Sequence, residues 1–285
     1  MRWPSFQYVF FDCDSTLSTI EGIDVLAESA DKKWRVEVLT NAAMNGDLDL
    51  SEVYGKRLKA VRPTREQVHQ IKNAYKKTVV EDAADVIAAL QHIGVEVFVI
   101  SGGLLEPVKE FAISLGVKAD NVRAVDVQYD SLSGEWWRQS DGRAVRYKTF
   151  EEGALTVTDG KADIVQELLK SRPPGRSLLI GDGSSDMMAS RRVDLFVGYG
   201  GVITREKVLN GAPVFIHCAS LAPLLLIALG PMSLAYFNKP PYAQLIQKAQ
   251  SLGAQEQNLS FNDLDLESKF KTAFQHQAKS NSEIF

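Results

Sequence analysis

Tyr8-Val9-Phe10-Phe11-Asp12-Cys13-Asp14-Ser15-Thr16 sets four large apolar residues directly before two carboxylates. The apolar run is short, aromatic and β-branched, the composition of a strand buried on both faces. In an extended segment, residues two apart point the same way, so Asp12 and Asp14 face one site. Two carboxylates that close repel, and both stay ionised only beside a cation or hydrogen-bond donors. Magnesium prefers such a set: a few carboxylates, waters and phosphate oxygens. Taken alone, the same residues also describe a strand that ends in a solvated acidic turn.

The same form recurs along the chain. The apolar run 95–100 precedes Ser101-Gly102-Gly103, the run 177–180 precedes Gly181-Asp182, and the run 194–197 precedes Gly198. Residues 213–216 are a candidate fifth strand. Helical patterns over 81–92, 104–115, 161–170 and 185–191 separate these runs. Strands alternating with helices predict an α/β fold, a Rossmann-like parallel sheet with helices on both faces. Ligands of such sheets bind at the carboxyl ends of the strands.

Residues 19–80 break the alternation. Ala27, Val36, Leu39, Ala43, Val53, Leu58, Val68, Ile71 and Tyr75 recur at helical spacing, and Thr64-Arg65-Glu66-Gln67 behind Pro63 has the form of a helix start. The segment predicts an inserted helical cap domain, with residues 1–18 and 81–231 forming the core. Alternation around Ser133-Gly134 predicts a small hairpin within 122–150. Residues 232–285 are rich in Gln, Ser, Asn and Lys, with one helical face at Tyr242, Leu245, Ile246 and Ala249 and a weaker one at Leu264, Phe270 and Phe274. They predict a helical or partly disordered extension that can be removed near Met232, because every candidate site residue precedes it.

Composition narrows the function. The 285 residues are 45% hydrophobic and 24% charged, with 32 Lys+Arg against 36 Asp+Glu and a net charge of -4. A nucleic-acid partner calls for a basic excess, and none is present. The apolar stretch 221–229 is too short to span a membrane and is stopped by Gly230-Pro231. Two cysteines, Cys13 and Cys218, suit buried free thiols rather than a disulfide framework. Met1-Arg2-Trp3-Pro4 runs into the first strand without a cleavable signal pattern. A cytoplasmic location is expected.

Three further motifs join the acidic pair. A hydroxyl and free backbone N–H groups at Ser101-Gly102-Gly103, opening the next helix, form a phosphate cradle. Lys161 follows Gly160 and opens an amphipathic helix, without the spacing of a Walker lysine. Asp182 sits at a strand end and Asp186 in the first turn of the helix after it, a second carboxylate for a metal and its outer support. Any one of these is commonplace; all four fall on one sheet edge.

In this order (DxDxT, Ser-Gly, Lys, GDxxxD) the chain resembles the haloacid dehalogenase (HAD) superfamily of phosphatases and, within it, the phosphoserine phosphatases, over about residues 6–230. The resemblance implies a Mg2+-dependent phosphomonoester hydrolase. Asp12 is then the nucleophile that takes the phosphoryl group. Asp14 is the general acid and later the base, and lends its backbone carbonyl to the metal. Asp182 binds the metal and Asp186 supports it. Ser101, the Gly102 N–H and Lys161 hold the phosphoryl oxygens. Glu21, Met44, Arg57 and Ser185 fall where the family reads its substrate, Glu21 for an ammonium and Arg57 for a carboxylate. The implied substrate is O-phospho-L-serine. The alternative is another small phosphorylated metabolite, such as phosphohomoserine or phosphocholine, served by a phosphatase or a phosphotransferase. A monomer or homodimer is implied. Departures from the pattern are Leu50 where Phe is usual, Ser185 where Asn or Thr is common, and a longer hairpin around Trp136-Trp137. A receiver domain, which also phosphorylates an Asp, fails on motif order and on size.

Overall fold

The computed structural model describes residues 3–45, 47–133, 144–237 and 239–282, without the side chains of residues 35, 44 and 276–282. The expected turn at Ser133-Gly134, the Trp136-Trp137 region and the side chain of Met44 therefore lie wholly or partly outside the described residues. The chain begins with β1 (Tyr8–Phe11) and four helices, α1 (Gly22–Ser29), α2 (Lys33–Met44), α3 (Leu50–Val61) and α4 (Arg65–Lys77). Next come α5 (Ala83–His92), β2 (Glu96–Leu104), α6 (Leu105–Ser114), β3 (Val122–Val125), β4 (Val127–Asp130) and β5 (Arg146–Phe150). Then follow α7 (Lys161–Lys170), β6 (Ser177–Gly181), α8 (Ser184–Ala189), β7 (Leu195–Tyr199), α9 (Glu206–Gly211) and β8 (Val214–Ile216). The chain closes with α10 (Leu224–Leu234), α11 (Ala243–Gly253), β9 (Leu259–Phe261) and α12 (Leu264–Ser282).

The main sheet has the order β3-β2-β1-β6-β7-β8-β9. All its pairings are parallel except β8 with β9. β1 is central because it is apolar all round: Val9, Phe10 and Phe11 are fully buried, and the Phe10 ring stacks on Phe98 of β2 at 4.6 Å. The strand order reverses at β1, which has β2 on one side and β6 on the other. The crevice where neighbouring connections diverge is where such sheets hold ligands, and the segments leaving β1 and β6 carry Asp12 and Asp182.

Helices α1 to α4 form the inserted layer. Asp49 caps α3 through the Ser51 N–H at 2.8 Å. Thr64 and Gln67 close the capping box of α4 that their spacing predicts. The inward face of α4 packs on α6, with Tyr75 stacked on Phe111 at 5.2 Å. At the rim of this contact His69 meets Glu106 at 2.9 Å and Lys72 meets Glu110 at 2.5 Å. β4 and β5 pair antiparallel and join the cap: the Tyr147 N–H donates to the Pro63 carbonyl, and the Phe150 ring lies 5.0 Å from Tyr54.

Residues 232–285 pack against the core. β9 extends the sheet by pairing with β8, and hydrogen bonds from His217 N to Asn258 O and from Asn262 N to Pro213 O flank the ladder. Phe270 of α12 meets Trp3 edge-on at 5.0 Å. Both cysteines are free thiols; Cys13 is buried as expected, whereas Cys218 is partly exposed. Among the described residues no helix is long and apolar enough to cross a membrane.

Candidate active site

Asp12 leaves β1 with its N–H still bonded to the Ile180 carbonyl of β6 at 3.0 Å. Its Oδ1 lies 2.8 Å from the Lys161 ammonium, which also reaches Asp186 Oδ1 at 2.7 Å. Lys161 is the first residue of α7 and Asp186 lies in the first turn of α8, so two helix starts deliver these groups to the strand ends. A Cβ on Gly181 would stand 2.3 Å from the Asp186 carboxyl carbon; glycine there lets Asp186 fold back, where its Oδ2 accepts from the Gly183 N–H at 3.2 Å.

Asp12, Asp182 and Asp186 offer oxygens that all lie within 4.8 Å of one another. All three are buried. Burial pushes the Asp182 carboxyl up to about 6, with Arg205 opposing. Burial and Asp12 push Asp186 up to about 8, with Lys161 opposing. Burial disfavours the Lys161 ammonium, but Asp12 and Asp186 outweigh it and raise its pKa. The crowding of carboxylates is only partly compensated by these cations, and hard oxygens around excess negative charge suit Mg2+.

Asp14 is held separately. Its Oδ1 accepts from the Gly22 N–H at 2.8 Å and from the Tyr75 hydroxyl at 2.6 Å. Its Oδ2 faces Ser101, whose hydroxyl donates to it at 3.4 Å. Burial raises its pKa, and the Tyr75 hydrogen bond works the other way. Ser101, Gly102 and Gly103 differ from expectation in one respect. They belong to the end of β2, and α6 starts only at Leu105, so the cradle is a strand end rather than a helix start. Ser101 Oγ accepts there from the Gly103 N–H at 2.9 Å.

The cap closes over this edge. The Leu50 N–H donates to Thr158 Oγ1 at 2.8 Å, and Ser184 Oγ donates to the Ala43 carbonyl at 3.2 Å. Beneath lies a cavity of about 40 Å³ whose walls include Asp12, Asp14, Glu21, Arg57, Gly102, Lys161 and Ser185. Leu50, in place of Phe, lines it and is buried. Arg57 is buried too, with its charge 5.4 Å over the Tyr54 ring and one hydrogen bond from Nη1 to Thr40 Oγ1 at 3.1 Å. Its Nε has no hydrogen-bond partner among the described residues, and burial lowers its pKa. Glu21 accepts from Ser15 Oγ at 3.0 Å. Burial pushes its carboxyl well up, with Asp14 and Asp182 adding to the effect.

Arg205 is a site residue that the sequence reading misses. Its Nε donates to Asp182 Oδ2 at 3.0 Å, its Nη2 lies 3.8 Å from Glu21, and its Nη1 reaches Asn45 Oδ1 at 3.3 Å. In sequence it is one charge beside Glu206 and Lys207, with no diagnostic spacing. The only available signal is its place shortly after a strand end, beyond Gly200-Gly201.

The family model for haloacid dehalogenase-like hydrolases matches residues 9–191. The chain is 32% identical to the phosphoserine phosphatase of Homo sapiens over 209 residues, 73% of this chain and 88% of that protein. It is 31% identical to the Mus musculus phosphoserine phosphatase with the same coverage. A solved phosphoserine phosphatase, described as a phospho-aspartyl intermediate analogue, shares the fold with a TM-score of 0.65 at 24% identity, covering 78% of this chain and 98% of that one. The match spans more than half of the chain and takes in Asp12, Asp14, Lys161, Asp182 and Asp186, so the chain belongs to the haloacid dehalogenase-like hydrolases and is a phosphoric monoester hydrolase.

Proposed function

We propose that the chain hydrolyses O-phospho-L-serine to L-serine and phosphate, through an aspartyl-phosphate on Asp12. The observation that carries the reading is the pairing of opposite charges in the cavity that Asp12 lines: Glu21, and Arg57 with its buried Nε unpartnered. A buried guanidinium with an unused donor calls for an anion, and a carboxylate matches its fork. Glu21 supplies the opposite charge for an ammonium. The human and mouse relatives bear the name of this activity. A cavity of about 40 Å³ holds a few waters at most, so the substrate enters when the Leu50–Thr158 and Ser184–Ala43 bonds part.

In this reading Asp12 Oδ attacks phosphorus and the ester oxygen leaves with a proton from Asp14. Water then attacks the phosphoryl group, giving its proton to Asp14 as the bond to Asp12 breaks. Ser101, the Gly102 N–H and Lys161 hold the phosphoryl oxygens, with Ser185 at the cavity wall. Mg2+ would be held by Asp12, Asp182 and the Asp14 carbonyl, with Asp186 orienting them. When bound it offsets the repulsion between Asp12 and the phosphate dianion. The test is kcat/KM for phosphoserine against phosphoethanolamine, phosphohomoserine and phosphocholine, in wild type and Arg57→Ala. Phosphoserine is expected to lead by about 30-fold or more over phosphoethanolamine, from the charge left unpaired. Equal values for these two esters would refute the substrate reading.

A further inference from the structure

We propose that Tyr75 is a positioning residue for Asp14: by holding Oδ1, it leaves Oδ2 as the oxygen that carries the proton to and from the phosphoryl site. The proposal rests on the reading of Asp14 as acid and base given above. By spacing, Tyr75 is one more apolar residue of the cap. In the fold it is fully buried near the end of α4, its ring stacked on Phe111. Its hydroxyl donates to Asp14 Oδ1 at 2.6 Å, across 61 positions in sequence. The Gly22 N–H donates to the same oxygen.

A carboxyl group turns readily about its last torsion. Two donors on one oxygen select one orientation and occupy its lone pairs, so an acid proton resides on the other oxygen. That oxygen, Oδ2, faces Ser101 at 3.4 Å, the residue of the phosphate cradle. In the first half-reaction the proton on Oδ2 passes to the ester oxygen as its bond to phosphorus breaks and the bond from Asp12 forms. Asp14 is left as the carboxylate. In the second, Oδ2 takes a proton from the attacking water as the Asp12–phosphorus bond breaks, which restores the acid.

Gly22 has a double part in this arrangement. Besides giving its N–H, it leaves room for Tyr75: a Cβ there would lie 2.2 Å from the Tyr75 hydroxyl and 3.3 Å from Ile71 Cγ2. A side chain at position 22 therefore forces the Tyr75 hydroxyl or the Gly22 backbone to shift, and either movement loosens the hold on Asp14 Oδ1. Two chemically different substitutions, Tyr75→Phe and Gly22→Ala, break the same contact.

The experiment compares phosphoserine, a poor leaving group that needs the proton, with p-nitrophenyl phosphate, whose phenolate leaves without one. Tyr75→Phe is expected to lower kcat for phosphoserine by about tenfold or more, with KM within about twofold. The nitrophenol burst, which reports the phosphorylation step, is expected to stay within about twofold. Gly22→Ala should reproduce the pattern, and the double variant should be no slower than the slower single one. If Tyr75→Phe fails to fold, Gly22→Ala carries the test. A folded Tyr75→Phe protein with phosphoserine turnover within twofold of wild type overturns the proposal, as does equal slowing of both esters in the burst step. Asp14→Asn, run alongside, separates the two levels. If it slows both esters equally in the burst, the acid role of Asp14 itself falls; if it discriminates and Tyr75→Phe does not, only the role of Tyr75 falls.

Discussion

Ending the chain after Pro231 removes α11, β9, α12 and the end of α10 while leaving every charged group around Asp12 in place. The removed residues include Leu234, Phe237, Ile246, Ala249, Leu259 and Phe270, all buried. What matters for the remainder is the surface they cover. Trp3 loses the Phe270 ring, and Leu226 loses the α11–β9 wall, where a Cβ on Gly253 would stand only 2.4 Å from it. β8 loses its ladder to β9 and becomes an edge strand. Uncovering two large side chains costs about 3–6 kcal/mol at roughly 1.5–3 each, a large share of a total stability of about 5–15 kcal/mol. For a chain of this size that lowers Tm by about 6–24 °C, and the bare edge of β8 invites aggregation. The assay is a thermal melt of the 1–231 protein beside the full chain, with light scattering. A soluble 1–231 protein melting within about 3 °C of the full chain would refute the argument, because the two uncovered side chains together call for about twice that shift at least.

Asp12→Asn should keep its fold and lose turnover by about 10³-fold or more, since the amide cannot accept the phosphoryl group; near-normal phosphate release from the folded variant would exclude the covalent route. Excess chelator should abolish phosphate release and added Mg2+ restore it, because the oxygens of three buried carboxylates, Asp12, Asp182 and Asp186, converge within 4.8 Å against only Lys161 and Arg205; full activity in chelator would remove the metal from the site. Thr40→Val takes away the Nη1 hydrogen bond of Arg57, and kcat/KM for phosphoserine should fall by about tenfold with that for p-nitrophenyl phosphate little changed; an equal fall for both would mean that Thr40 does not act through Arg57. Burial pushes the carboxyl of Asp24 up to about 6, above its unfolded value of about 3.9, so the folded chain takes up this proton first as pH falls. This one group therefore adds stability as pH drops from 7 towards 4; urea melts at both ends should show a smaller gain in Asp24→Asn, and an unchanged gain would place the uptake elsewhere.

The elements that carry the acidic groups are legible in the sequence because each is complete within a few residues. A buried strand declares itself in four apolar positions, as at 8–11, and a capping box in four more, as at 64–67. What escapes such reading is contact set by the sheet order. Leu259–Phe261 is too short for any periodicity, and it becomes a strand only because β8 presents a free edge beside it. The hydroxyl of Tyr75 gives no local sign of its partner, since the gap it needs is made by a glycine 53 positions earlier. Arg205 meets Asp182 across the β6–β7 crossover, 23 residues back. Strand ends that already gather more carboxylates than cations require further positive charge, and Arg205 follows the next strand on that same edge. The charge balance of an assembled edge thus points to residues whose own spacing says nothing.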